Sequence, residues 1–215
     1  MLIYIVRHGE TDWNRKKIVQ GASDVPLNDY GIRLAEITSE AMKDIPFDRI
    51  YSSPLKRAYK TAEILRGSRQ LPIITDDRLK EMHFGIAEHM SLPLIRSLPF
   101  LRIHKCFCHP DQYVRAVPGG ETIQQVQERG MSFMEEVIKP LGSSCENILI
   151  AAHGGIIRGI LSSLLQTSAD QFWDGFALKN CAVSILELKD GTFRVIRTGK
   201  LYYTPKKTPD PRSPL

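Results

Sequence analysis

Short apolar runs alternate along the chain with longer amphipathic stretches, and this pattern predicts strands and helices that follow one another. Buried strands are predicted at residues 2–6, 47–51, 72–75 and 147–152. Helices are predicted over residues 31–43, from Ser53 to Gly67, and over 121–138 and 156–165. Two later strands, at residues 182–188 and 193–197, are joined by Asp190-Gly191, which is typical of a hairpin turn. We therefore predict an α/β fold: a three-layer sandwich with a mostly parallel central sheet, helices on both faces and a late antiparallel hairpin.

The alternation of apolar runs and amphipathic stretches is lost between residues 91 and 117, where prolines interrupt the apolar patches. We interpret this segment as a partly helical, lid-like insertion in one domain that spans residues 1–203. Its larger apolar side chains either cover a pocket, which would favour a partly apolar substrate, or pack onto the body of the domain; they are Phe100, Leu101, Phe107 and Tyr113. Residues 204–215 are rich in proline and are predicted to form an extended tail.

Composition narrows the functional classes. The 215 residues carry a net charge of +5, and the basic residues are spread along the chain. This distribution suits small anionic ligands and speaks against nucleic acid as a partner. We find neither a signal peptide nor a membrane span, so no membrane association is expected and the cytoplasm is the expected compartment.

The four cysteines show no spacing typical of a disulfide framework, so we expect reduced thiols. Cys106 and Cys108, flanked by His104 and His109, superficially resemble a zinc site. A structural zinc ion normally needs a second, well separated pair of ligands, which the sequence lacks. We therefore expect packed or surface thiols there and no metal site.

Two of the predicted strands end in the same way. Arg7-His8-Gly9 follows the first strand, and His153-Gly154-Gly155 follows the strand at residues 147–152. Open α/β folds place their sites at such strand ends, next to helix N-termini. The alternative is structural: Arg7 caps a strand and His8 packs in the core.

Arg57 is expected in the first turn of a helix, where its guanidinium and the helix N-terminus together would favour a phosphate. An exposed helical arginine is the alternative. Two histidines and two arginines brought together would form a cationic pocket for a tetrahedral dianion. A histidine there could act as the nucleophile, and a carboxyl group at the mouth could serve as acid and base. Glu81 is one of several acids after the third strand.

Six ordered blocks of residues then carry a clear resemblance to the histidine phosphatase superfamily, which includes the cofactor-dependent phosphoglycerate mutases. They are Arg7-His8-Gly9-Glu10-Thr11 with Trp13-Asn14; Gln20-Gly21 with Asp24, Pro26-Leu27 and Gly31; Ser52-Ser53-Pro54-Leu55 with Arg57-Ala58 and Thr61-Ala62; Leu79 with Glu81 and Phe84-Gly85; Gly119-Gly120-Glu121-Thr122; and His153-Gly154-Gly155 with Arg158. The resemblance covers nearly the whole chain except the insertion and the tail.

The resemblance implies a role for each site residue. His8 would be the phosphorylated nucleophile, and Arg7 and Arg57 would clamp the phosphoryl group. His153 would donate a hydrogen bond to that group, and Glu81 would act as proton donor and later as base. The other residues implied to bind the phosphate or the substrate are Asn14, Gln20, Gly21 and Gly154. The implied chemistry needs no metal ion and no cofactor.

The block around Glu81 favours a phosphatase. The family's mutases resemble Glu-Arg-His-Tyr-Gly here and carry a long insertion, whereas this chain is short and has Met82 after Glu81. The phosphatases more often resemble Phe-Gly-x-x-Glu-Gly; Glu88 fits this pattern, but His89 replaces the glycine, so the conformation of this loop and the substrate-facing wall stay open. We predict a phosphomonoester hydrolase for a small phosphorylated metabolite. A phosphoglycerate or sugar-phosphate mutase and a non-catalytic phospholigand-binding module are the alternatives, and we also allow for a homodimer.

Overall fold

The computed structural model describes residues 1–204, and the strands of this part of the chain form one mixed sheet. The strands are β1 (Leu2–Arg7), β2 (Arg49–Ser52), β3 (Ile73–Thr75), β4 (Asn147–Ala152), β5 (Val183–Lys189) and β6 (Thr192–Lys200). Their order is β3-β2-β4-β1-β5-β6, with the first four strands parallel and β5 antiparallel to both of its neighbours. The predicted parallel sheet with a late hairpin is confirmed.

The α-helices connect and flank these strands. They are α1 (Asp12–Arg15), α2 (Asp29–Ala41), α3 (Lys56–Arg66), α4 (Leu92–Ser97), α5 (Arg102–Cys108), α6 (Ile123–Phe133) and α7 (Gly154–Leu165). Helices α4 and α5, with a 3₁₀ turn at Pro110–Gln112, make the 91–117 insertion partly helical, as predicted. Across residues 1–204, each helix falls short of the length and apolarity that a bilayer crossing demands.

Side chains of β1 alternate between two apolar layers because successive residues of a strand point to opposite faces. Ile3 and Ile5 belong to a buried cluster that includes residues of α6 and α7. Tyr4 and Val6 belong to a second cluster that includes residues of α3. Since α2 packs against α3, helices lie on both faces and the predicted three-layer architecture is confirmed.

The register of β1 and β4 positions the two histidines. Arg7 pairs with Ala152 in this parallel pair, so both strands end at the same level of the sheet. His8 and His153, each the next residue in its own segment, therefore emerge side by side. The His8 backbone N–H donates to the Ala152 carbonyl at 2.9 Å.

Two predicted helix caps are wrong. In the sequence Ser53 precedes Pro54 and fits the N-cap of the helix that ends before Gly67, but α3 begins at Lys56 with Leu55 as an N-cap that makes no side-chain hydrogen bond. The Ser53 hydroxyl instead lies 2.8 Å from His153 Nε2. Ser168 and Gln171 have the sequence spacing of a capping box and predict a short helix, but Ser168 makes no side-chain cap and the turn after it is a 3₁₀ turn.

Other element boundaries also differ from the predicted ones. The helix predicted over 121–138 is α-helical only to Phe133 and continues as a π-helical turn, Met134–Ile138. Its true N-cap is Thr122, which forms a capping box with Gln125. Helix α7 begins at Gly154, directly after His153, and not at residue 156. Apart from Thr204, the predicted tail lies outside the described residues.

Candidate active site

His8 is held as a neutral imidazole with one nitrogen available. Its Nδ1 lies 2.6 Å from the Gly9 carbonyl oxygen, and because a carbonyl can only accept, Nδ1 carries the proton. Nε2 is then unprotonated. Burial, followed by the charges of Arg57 and Arg7, holds the pKa of His8 well below its usual 6.5. A neutral histidine with an unprotonated Nε2 is a nucleophile.

His153 lies against His8, with 5.1 Å between the ring centroids. Its Nδ1 accepts from Arg57 Nε at 3.1 Å, and its Nε2 lies 2.8 Å from Ser53 Oγ. Burial, followed by the charge of Arg57, also lowers the pKa of His153 well below 6.5. Since both ring nitrogens have protein partners, a hydrogen bond to a phosphoryl group would require one of these contacts to be exchanged.

Arg57 is fully buried, which excludes the alternative of an exposed helical arginine. Besides His153, its guanidinium donates to the carbonyls of Ser23 at 2.6 Å and Gly21 at 2.7 Å. Burial lowers the pKa of Arg57 to about 10, so the group stays cationic at neutral pH. The helix places it, and the loop after α1 fixes its orientation.

Arg7 has an unsatisfied donor that points to an anionic ligand. Its Nη1 donates to the Leu178 carbonyl at 2.5 Å, whereas its buried Nε has no hydrogen-bond partner within residues 1–204. A buried N–H without a partner costs about 1–3 kcal/mol, which a bound phosphate oxygen would recover. Burial lowers the pKa of Arg7, and the nearby Glu81 carboxylate opposes this shift.

The Glu81 carboxyl group is held at the N-terminus of α7. Its Oε1 accepts from the backbone N–H groups of Gly155 and Met82, both at 2.8 Å, and of Ile156 at 3.3 Å. Oε2 is left for the cavity. Measured from the position that a Cβ would take on Gly154, Oε2 lies at 3.8 Å and Arg7 Nε at 3.6 Å, so both border the same space.

Arg129 on α6, which sequence reasoning missed, fixes the segment that carries Glu81. Its guanidinium donates to three carbonyls between residues 78 and 81 and pairs with Glu121 Oε2 at 2.8 Å. Glu121 in turn accepts the backbone N–H of His83 at 2.9 Å. The sequence offered no signal, because an arginine in an amphipathic helix is usually exposed.

The other predicted binding residues, Asn14, Gln20 and Gly21, lie beside the same cavity. Asn14 Oδ1 accepts the Thr11 N–H at 3.1 Å, and Asn14 Nδ2 has no partner among the described residues. Gln20 Oε1 accepts from the Thr11 hydroxyl at 3.1 Å. Gly21 has a φ of +51°, and a Cβ there would lie 2.1 Å from a Glu88 oxygen, so only glycine fits.

His89 keeps the loop conformation that a glycine would favour. Its φ is +72°, in the left-handed region. The ring packs at 4.7 Å from Trp13, and its Nε2 lies 3.2 Å from Ser23 Oγ. His89 does not line the cavity described next.

These groups surround a cavity of about 340 Å³ that every predicted site residue except His153 lines. Sequence reasoning did not assign several other lining residues to the site. They are the cationic residues Lys17, Arg96 and Arg158, the aromatic residues Phe84 and Trp173, the aliphatic residues Ile18, Val19 and Leu92, and Asp174 and Gly155. Phe84, Gly155 and Arg158 stand in the family's motif blocks, whereas the others lie outside them.

The insertion contributes to this cavity in part. Of the two predicted alternatives, covering a pocket applies to Phe107, which lines the cavity. Packing onto the body of the domain applies to Leu101 and Tyr113, which pack with the core. Phe100 does neither, since 78% of it is exposed.

Comparison with known proteins identifies the family to which the chain belongs. The sequence profile of the histidine phosphatase superfamily (branch 1) matches residues 3–200. The chain is 34% identical over 193 residues to a Bacillus subtilis protein named "Uncharacterized phosphatase PhoE", covering 90% of this chain and 91% of that protein. It is 28% identical over 211 residues to "Putative phosphoserine phosphatase 2" of Hydrogenobacter thermophilus, covering 96% and 98% of the two chains.

A solved structure agrees with this placement. Bacillus stearothermophilus YhfR superimposes with a TM-score of 0.85 at 31% identity, over 93% of this chain and 97% of that one. The chain therefore belongs to branch 1 of the histidine phosphatase superfamily and is a phosphatase of that superfamily.

Proposed function

We propose that this protein hydrolyses phosphomonoesters of small metabolites through a phosphohistidine formed on Nε2 of His8. The observation that carries the proposal is the hydrogen bond from His8 Nδ1 to the Gly9 carbonyl. It fixes the tautomer whose free Nε2 can attack phosphorus, next to a buried Arg7 Nε that lacks a partner among residues 1–204.

The first half of the reaction transfers the phosphoryl group to the enzyme. Arg7, Arg57 and the Asn14 amide bind the phosphate oxygens and offset the charge that spreads over them in the transition state. Nε2 of His8 forms a bond to phosphorus while the ester P–O bond breaks. Glu81 donates a proton from Oε2 to the departing alkoxide, since Oε1 already accepts backbone N–H groups.

The second half releases phosphate. Glu81, now a carboxylate, takes a proton from a water molecule, and the resulting oxygen nucleophile attacks the phosphohistidine. The P–N bond breaks and its electrons return to Nε2, so His8 regains its neutral form. His153 contributes by exchanging its contact with Arg57 or Ser53 for one with the phosphoryl group.

The size of the cavity and the state of the cysteines support the proposed substrate class and compartment. A cavity of about 340 Å³ suits a small phosphorylated molecule. All four cysteines are free, which supports a reducing compartment such as the cytoplasm.

Rapid quenching of the protein with p-nitrophenyl phosphate tests the proposal. We expect a burst of nitrophenol and a protein heavier by one phosphoryl group on His8, located by peptide mass spectrometry under alkaline conditions. His8→Ala should lose both, while His109→Ala, at an exposed histidine outside the cavity, should keep both.

Two results would contradict the proposal. Phosphate binding without turnover would indicate the non-catalytic module. Transfer of the phosphoryl group to a phosphoglycerate acceptor faster than to water, dependent on a bisphosphate primer, would indicate the mutase.

A further inference from the structure

Three aromatic side chains form a continuous wall on the active-site cavity. Phe84 and Phe107 stack with 5.3 Å between their centroids and 25° between their planes. Phe107 and Trp173 follow at 5.2 Å and 30°. All three residues line the cavity that also contains His8 and Arg7. We call Phe84, Phe107 and Trp173 the aromatic wall.

Polar contacts hold the aromatic wall in place. The indole N–H of Trp173 donates to the Cys106 carbonyl at 2.5 Å, which ties the ring to helix α5 beside Phe107. Arg158 donates to the Trp173 carbonyl at 2.9 Å, and its guanidinium lies 5.8 Å from the ring centroid. Because the ring's donor is already satisfied, Trp173 presents only its apolar surface to a ligand.

The cavity therefore has two chemically different parts. Arg7, Arg57 and the Asn14 amide serve the phosphate. The aromatic wall, extended by the aliphatic residues Ile18, Val19 and Leu92, forms the apolar part of the lining around the rest of the substrate. The charged residues Lys17, Arg96, Arg158 and Asp174 line the same cavity. A small hydroxylated or amino-acid leaving group would lose water against this wall without gaining hydrogen bonds from it. A planar ring would gain dispersion and stacking contacts.

We propose that the preferred substrates are phosphomonoesters of alcohols that carry a planar aromatic ring, which packs against Phe107 and Trp173. This inference rests on the proposed phosphatase function. It assigns specificity to the aromatic wall and leaves the chemical step at His8 unchanged.

A matched pair of esters tests planarity without changing the chemistry of the leaving group. We compare kcat/KM for 2-phenylethyl phosphate and 2-cyclohexylethyl phosphate, which have similar size and release alcohols of similar acidity. The aromatic ester is expected to be favoured about three- to tenfold, the range of a single aromatic pair. Glycerol phosphate, which has neither ring, should be the poorest substrate of the three.

A matched pair of variants tests the wall itself. Phe107→Leu removes a ring from the wall but keeps an apolar side chain, and should bring the ratio of the two esters close to one. Phe100→Leu makes the same change in the same insertion, at an exposed ring that does not line this cavity, and should leave the ratio unchanged.

A binding measurement keeps the inference testable without turnover. The chain has two tryptophans, so Trp13→Phe leaves Trp173 as the only indole emitter. Titration with 2-phenylethylphosphonate should change its fluorescence, and the cyclohexyl analogue should bind about three- to tenfold more weakly.

The outcomes separate the two proposals. Equal kcat/KM for the two ring esters, or an unchanged ratio in Phe107→Leu, would overturn the aromatic preference while hydrolysis itself stands. If no ester is hydrolysed and His8 is not phosphorylated, the phosphatase proposal fails, and the fluorescence titration then decides the aromatic preference alone.

Discussion

The backbone N–H of Gly155 donates to Glu81 Oε1 at 2.8 Å, and a Cβ added to Gly155 would lie 2.6 Å from that same oxygen. The close approach that holds the carboxyl group therefore exists only because residue 155 has no side chain. The preceding glycine, Gly154, has more space around its Cβ position. A Cβ on Gly154 would meet nothing nearer than Arg7 Nε at 3.6 Å, an ordinary contact distance.

Gly155→Ala should thus displace Glu81 and impair proton donation, whereas the methyl group of Gly154→Ala would leave Glu81 in place and enter the space that Arg7 Nε and Glu81 Oε2 border. We expect kcat for an alkyl phosphate to fall about 10²-fold in Gly155→Ala, a typical contribution of a general acid. With p-nitrophenyl phosphate the loss should be smaller, because nitrophenolate departs without protonation. Equal losses for the two esters would show that the substitution acts by another route.

Arg129 is expected to act as a positioning residue for Glu81. Arg129→Gln removes the hydrogen bonds to the segment 78–81 and should lower kcat for alkyl phosphates about tenfold, with KM little changed. Arg129→Lys should restore only part of this loss, since an ammonium group cannot span the same carbonyls. A uniform loss for alkyl and nitrophenyl esters, in step with a lower melting temperature, would indicate a purely structural role.

Replacement of Arg57 by lysine should damage both the site and the fold. The lysine keeps the charge but cannot contact Gly21, Ser23 and His153 at once, so we expect kcat/KM to fall by about 10²-fold or more. The free energy of unfolding should fall by about 2–3 kcal/mol because buried carbonyls lose their donor. Arg66→Lys, at the other end of α3, is the matched control and should change neither quantity in kinetic assays and urea denaturation.

His8 should stay neutral at a pH where an ordinary histidine is half protonated. Burial and two arginines depress its pKa below 6.5, so its signals in a ¹H–¹⁵N NMR titration should still show the neutral Nδ1–H tautomer at pH 6.5. Assignment follows from the resonances lost in His8→Gln. A midpoint for His8 at or above pH 6.5 would contradict this prediction.

The same shift has a consequence for stability. Below pH 6.5 the unfolded chain binds protons at His8 and His153 that the folded chain does not. Burial of these two neutral histidines therefore does not reduce the free energy of unfolding above pH 6.5, but reduces it increasingly as the pH falls below 6.5. The melting temperature of the wild type should decline over that interval, and less steeply in His8→Gln.

The sequence by itself left two features open: which side chains of the insertion face the cavity, and which residue holds the segment of Glu81 in place. The sequence predicted that residues 91–117 are partly helical, but not that Phe107 faces the cavity while Phe100 faces solvent. Prolines removed the periodicity that otherwise tells which side of a helix is buried. Arg129 was missed for a related reason: its carbonyl partners lie about fifty residues away, and only packing brings them within reach.

By itself, the sequence determined the α/β class, the strand-His-Gly units at His8 and His153, and the block that contains Glu81, because strand periodicity and short motifs are local properties. The tertiary structure decided the rest. Parallel pairing of β1 with β4 brought the two histidines to a ring distance of 5.1 Å, and burial selected the neutral state of His8. The aromatic wall was decided by packing alone, since it joins residues 84, 107 and 173, whose proximity no local pattern encodes.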